Sequence, residues 1–97
     1  MAEHVTLTMP ADCTLRTAQA LQGDLLAAVE GGSRLVLDCA AIEQVDVTFV
    51  QLVVAAARTA GRRGLTLDLT NLPDTAAAAF RRAGIAPHAP FDATPAL

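Results

Sequence analysis

The chain predicts an α/β domain: a small, mixed, mostly parallel sheet of about four strands covered by three to four helices. Three observations carry that expectation. Strand and helix patterns alternate along the sequence, and Leu35-Val36-Leu37 is a continuous apolar run of the kind buried on both faces of a sheet. From Phe49 the apolar residues Leu52, Val53, Ala56 and Ala60 follow at the spacing of one helical face, with Gln51, Arg58 and Arg62 opposite. Passing from one strand through one helix to the next implies crossover connections, and hence parallel pairing.

Taken in order, the first strand is His4 to Met9, where Val5, Leu7 and Met9 alternate with Thr6 and Thr8 until Pro10 stops the pattern. Pro10-Ala11-Asp12 makes a turn, and Asp12 or Thr14 can cap the helix that follows. That helix, Leu15 to Val29, sets Ala18, Leu21, Leu25 and Val29 on one face and ends at Gly31-Gly32. The central strand at Leu35 to Leu37 leads through Val45-Asp46-Val47-Thr48 into the second helix, which runs from Thr48 to about Gly61. Either Asp46 or Thr48 can cap it, accepting hydrogen bonds from its first free backbone N–H groups. Leu65 to Thr70 alternates as a strand with Leu65, Leu67 and Leu69 toward the core. Pro73 suits the first turn of a third helix, which faces Ala76, Ala79, Phe80 and Ala83 inward and stops at Gly84. Residues 85–97 form a Pro/Ala-rich tail without periodicity, expected to be irregular, with Phe91 pinning it to the domain.

With 97 residues, the chain is expected to be one domain over 1–97. Seven basic against ten acidic residues give a net charge of −3, and Trp and Tyr are absent. This composition argues against nucleic acid as a partner, since both a phosphate-binding charge and base-stacking platforms are lacking. No apolar run reaches the ~20 residues that a membrane span needs, and no secretory signal pattern opens the chain, so direct membrane insertion is not expected and a cytoplasmic location is. Cys13 and Cys39 match no metal spacing and read as reduced, partly buried thiols. His4 and His88 lie in the terminal segments, and Ser33 only follows a glycine turn. Neither glycine cluster forms a phosphate-cradling loop. An enzyme, a cofactor and a metal are therefore not expected.

Asp38, Ile42, Val45, Asp46, the hydroxyl at Thr48 and an apolar helix closed by Gly61 and Gly64 resemble the central signature of STAS domains, the sulfate transporter and anti-sigma factor antagonist family. The resemblance runs from about His4 to Ile85. It implies a STAS-like sheet whose first strand runs antiparallel, with helices mostly on one face. It also implies that Thr48 is the phosphoacceptor of a partner serine/threonine switch kinase, reset by a phosphatase, in a module that binds an anti-sigma factor. A phosphate at Thr48 would add nearly two negative charges beside Asp46, at a helix end that tolerates them, so a docked partner rather than the fold would feel the change. Asp46 and Asp12 are expected on the same partner-binding surface. The chain departs from the pattern at Val47, which replaces a small hydroxyl residue, and at Phe49, which stands where a glycine would permit close approach of a partner's backbone. Val47, Val50 and Val54 are read as an exposed apolar patch for that partner, unless a loop or the tail covers them. The alternative reading is a constitutive STAS subunit that docks on a membrane ABC transporter of the lipid-transport type. Because there is room for one N-terminal strand where the family usually has two, the sheet is expected to expose an edge, which makes a homodimer an expectation as well.

Overall fold

The computed structural model describes residues 4–32 and 34–85. The expectations for Ser33, His88, Phe91 and the tail beyond Ile85 lie outside them. Strand β1 (His4–Thr8) leads through the short β2 (Asp12–Cys13) and a single 3₁₀ turn (Leu15–Thr17) to helix α1 (Ala18–Glu30). Strands β3 (Arg34–Asp38) and β4 (Gln44–Val45) precede α2 (Val47–Arg62), and β5 (Leu67–Thr70) precedes α3 (Asp74–Arg82). Gly32 and Gly64 adopt positive φ just beyond α1 and α2, where a side chain would be strained, and so stop both helices.

The main sheet has the order β1-β3-β5, and a second, two-stranded ladder joins β2 to β4. Every pairing is parallel. The antiparallel first strand implied by the family resemblance is therefore corrected: Val5 lies beside Leu35 and Leu7 beside Leu37 in parallel register. The connectivity explains it, because the chain returns from β1 through the 13-residue α1 before entering β3.

Alternation along the strands sorts the sheet into two faces. Leu35, Leu37, Leu67 and Leu69 are buried and share one core with Leu21, Leu25 and Val29 of α1 and Phe49, Val53 and Ala56 of α2. The helices lie on this face. The reading of the central strand as buried on both sides is corrected at Val36, which is only half-buried. Val36 shares the opposite face with Thr6 and Asp68, its register neighbours, and Arg34 pairs with Asp68 at 3.1 Å. Phe49 and Phe80 meet edge to face, with centroids 6.0 Å apart and planes at 80°, which locks α3 against α2.

Cys13 and Cys39 are free and fully buried. Burial pushes the Cys13 thiol up to about 11 and the Cys39 thiol up to about 12, so both stay protonated and behave as small apolar core groups. Two smaller corrections concern helix ends. Leu15, expected to begin α1, sits in the 3₁₀ turn and is 72% exposed, and Pro73 is the residue before α3 rather than in its first turn.

Candidate functional site

The N-terminus of α2 is assembled from three pieces of chain. The β2–β4 ladder sets Asp12 beside Gln44 and Cys13 beside Val45, so the turn after β1 is delivered to the entrance of α2. Asp46 caps the helix: one carboxylate oxygen accepts the Thr48 N–H at 2.9 Å and the other accepts the Leu15 N–H at 3.0 Å. The carboxylate thus both starts α2 and ties down the 3₁₀ turn that precedes α1. The Leu15 N–H, then the Thr48 N–H and hydroxyl and the Phe49 N–H, hold Asp46 below the usual carboxylate range.

A second set of contacts braces the first. Asp12 accepts the Thr14 hydroxyl at 2.6 Å and pairs with Arg16 at 3.0 Å, and Arg16 also donates to the Gln44 side chain at 2.8 Å. The Thr14 hydroxyl in turn accepts the Arg16 N–H, capping the 3₁₀ turn. On the far side of the sheet end, Asp38 accepts the Ala40 N–H and the Asn71 amide, both at 3.1 Å, and these two bonds hold its carboxyl low. Asn71 has φ 55°, a left-handed conformation that asparagine tolerates in turns.

The residues singled out in the sequence part company here. Asp46, Val47 and Thr48 lie together on the first turn of α2, with Val47 60% exposed and Thr48 half-buried. Asp12 reaches this region through Arg16 and Gln44. Phe49 and Val50 do not belong to the surface: they are 1% and 2% exposed. The expected exposure of the patch Val47, Val50 and Val54 is therefore corrected at Val50, because the chain just after α3, at Ala83 and Ile85, lies along this side of α2. All three valines line one groove with Ala83 and Ile85, along which Val47 is exposed, Val54 half-buried and Val50 buried. Sequence reasoning missed Leu15. It was read only as the start of a helix, whereas the Asp46 carboxylate holds its backbone beside the start of α2 with the side chain in solvent.

The acid limb of stability follows from these bonds. Asp46 and Asp38 have folded-state values below their unfolded values, so each contributes stability that is present above about pH 4 and is lost as the pH falls through the lower folded value. We expect Asp46→Ala to lower the melting temperature at pH 7, with the gap to wild type narrowing below about pH 4. Thermal unfolding at both pH values checks this. An equal gap at both would mean that the charge of Asp46 contributes nothing.

A family model described as "Mlab, STAS domain" matches residues 2–87. The chain belongs to the STAS domain family. Among solved structures it is similar to an anti-sigma-factor antagonist (STAS) domain protein from Planctomyces limnophilus, with a TM-score of 0.74 and 14% identity over 86% of this chain and 78% of that one. At that identity the likeness is one of fold. A search of curated protein sequences finds no match. Among the described residues no helix is long and apolar enough to cross a membrane, and no cluster of side chains is suited to a metal ion.

Proposed function

We propose that the chain works as one protein-binding STAS domain of the anti-sigma factor antagonist kind, cytoplasmic and without catalysis of its own, whose docking surface is the N-terminus of α2 and whose switch is phosphorylation of Thr48. The observation that carries the reading is a hydroxyl in the first turn of α2, next to the exposed Val47 and close in the fold to the exposed Leu15. Two large apolar side chains in solvent beside a charged cap suit a partner surface better than a free one. Asp46 already occupies the Thr48 N–H, so a phosphate at Thr48 would add charge next to an existing carboxylate and change what a partner meets. The partners proposed are an anti-sigma factor or serine/threonine switch kinase, with a phosphatase that resets the site.

Phosphopeptide mass spectrometry on the protein from its native cells tests this, comparing wild type with Thr48→Ala. Phosphate on the peptide that carries Thr48, absent from the variant, is the expected result. A protein unphosphorylated across growth conditions would remove the switch. The exposure of Leu15 and Val47 also suits a second reading, a constitutive subunit of a membrane ABC transporter in which the same pair forms a permanent contact. Co-purification with membrane ATPase subunits, unaffected by Thr48→Ala, would favour it.

A further inference from the structure

We infer that the outer edge of β1 is a self-complementary dimer interface, at which two copies of this chain join antiparallel about a two-fold axis at Thr6 and merge their sheets. The inference concerns a different part of the molecule from the α2 surface. It starts from one hydrogen bond. The Met9 N–H donates to the Asp38 carbonyl at 2.8 Å, so in the parallel pair Met9, Leu7 and Val5 turn their peptide groups toward β3. His4, Thr6 and Thr8 then turn theirs outward, where no described strand receives them.

Those three residues are spaced symmetrically about Thr6. An antiparallel copy centred there sets Thr6 against Thr6 and His4 against Thr8, and every one of these is a hydrogen-bonded pair that exchanges N–H···O bonds in both directions. The same register sets Val5 of one copy against Leu7 of the other on the helix-covered face. Val5 is 39% exposed in the single chain. Beside Leu7, a mainly apolar groove of about 430 Å³ runs between β1 and α1, lined by Leu7, Met9, Pro10, Ala20 and Leu21 together with Thr8, Thr17 and Asp24. An exposed valine at one end of the strand and an apolar groove at its other end are brought together only by an antiparallel two-fold.

Charge does not oppose the pairing. Residues near a two-fold axis meet their own copies, so a charged residue there repels itself, but His4–Thr8 contains no Asp, Glu, Lys or Arg, and the one carboxylate lining the neighbouring groove, Asp24, belongs to α1 and not to the strand on the axis. Charges, prolines and bulges are the usual devices that keep an edge strand single, and β1 has none of them. A strand from an unrelated protein could use the same peptide groups, but it would not be bound to this symmetric register.

Light scattering on the full chain over a concentration series, with Thr6→Cys and Thr8→Cys variants oxidised by diamide, tests the proposal. The expected mass is twice the 10.0 kDa of the chain. Thr6→Cys should form a disulfide-linked dimer, since directly opposed hydrogen-bonded residues have Cα atoms about 5.5 Å apart. Thr8→Cys should not, because its copy lies four residues away along the strand, roughly 13 Å. The two native thiols are buried and stay out of the reaction. Thr6→Pro removes the central outward N–H and none from the β3 ladder, so it should be monomeric with the wild-type circular dichroism spectrum. A monomer at every concentration, or cross-linking of Thr8→Cys as readily as Thr6→Cys, overturns the proposal. If Thr6→Pro fails to fold, the cysteine pair decides.

Discussion

Replacing Phe49 with alanine should destabilise the domain by about 3–5 kcal/mol, the usual cost of truncating a buried phenylalanine. Phe49 is 1% exposed and stacks edge to face on Phe80, so its loss opens a cavity at the contact of α2 with α3. Phe49→Gly should be worse by about 1 kcal/mol, because glycine also weakens a helix interior. This second variant is the more informative of the two. It restores the residue that the STAS pattern usually carries at this position, and the expectation is that the restored residue harms this chain. Total stabilities of small domains are about 5–15 kcal/mol, so either variant sits near the limit of folding. Urea denaturation measures the difference. A loss under about 1 kcal/mol would mean that Phe49 is not the core anchor its burial indicates.

Thr48→Glu should lower affinity for the partner about a hundredfold while leaving stability nearly unchanged. Thr48 is the second residue of α2, where a negative charge is favoured by the helix dipole, so the fold accommodates the change. A partner docked over Leu15 and Val47 does not have that compensation. Like charges brought together at an interface cost several kcal/mol, and each 1.4 kcal/mol is tenfold in affinity. Titration calorimetry with a partner isolated by pull-down on the unphosphorylated domain, alongside thermal unfolding of the variant, separates the two effects. Unchanged affinity with unchanged stability would sink the switch and leave the transporter-subunit reading.

How much of this was legible depends on how far along the chain each cause reaches. Leu21, Leu25 and Val29 on α1, and Leu67 and Leu69 on β5, are buried as their spacing indicates, because helical and strand periodicity are local properties. The parallel order of the strands was also legible, from the helix that separates each pair. Family resemblance, which implied an antiparallel first strand, was the poorer guide there. The cap of α2 was legible as a choice between Asp46 and Thr48. Only the structure decided it, since a residue caps when its backbone is extended and its side chain turns back onto the helix, as that of Asp46 does.

The surface was less legible than the core. Val50 looked exposed because helical geometry gives its angle from the core stripe but not where the chain around Ala83 and Ile85 will lie, and Leu15 was taken as the start of α1 because the 3₁₀ turn that holds it depends on a bond to Asp46, 31 residues away. The sequence by itself determined the fold class, the order of the three longer strands and three helices, and most of the apolar stripes, all of which follow from interactions within a few residues, while Thr48 was singled out by family resemblance and the short β2 and β4 went unread. Tertiary structure alone decided which apolar residues remain in solvent and which peptide groups of β1 face outward. Both depend on the relative placement of elements that are distant in the chain, and no local periodicity encodes that.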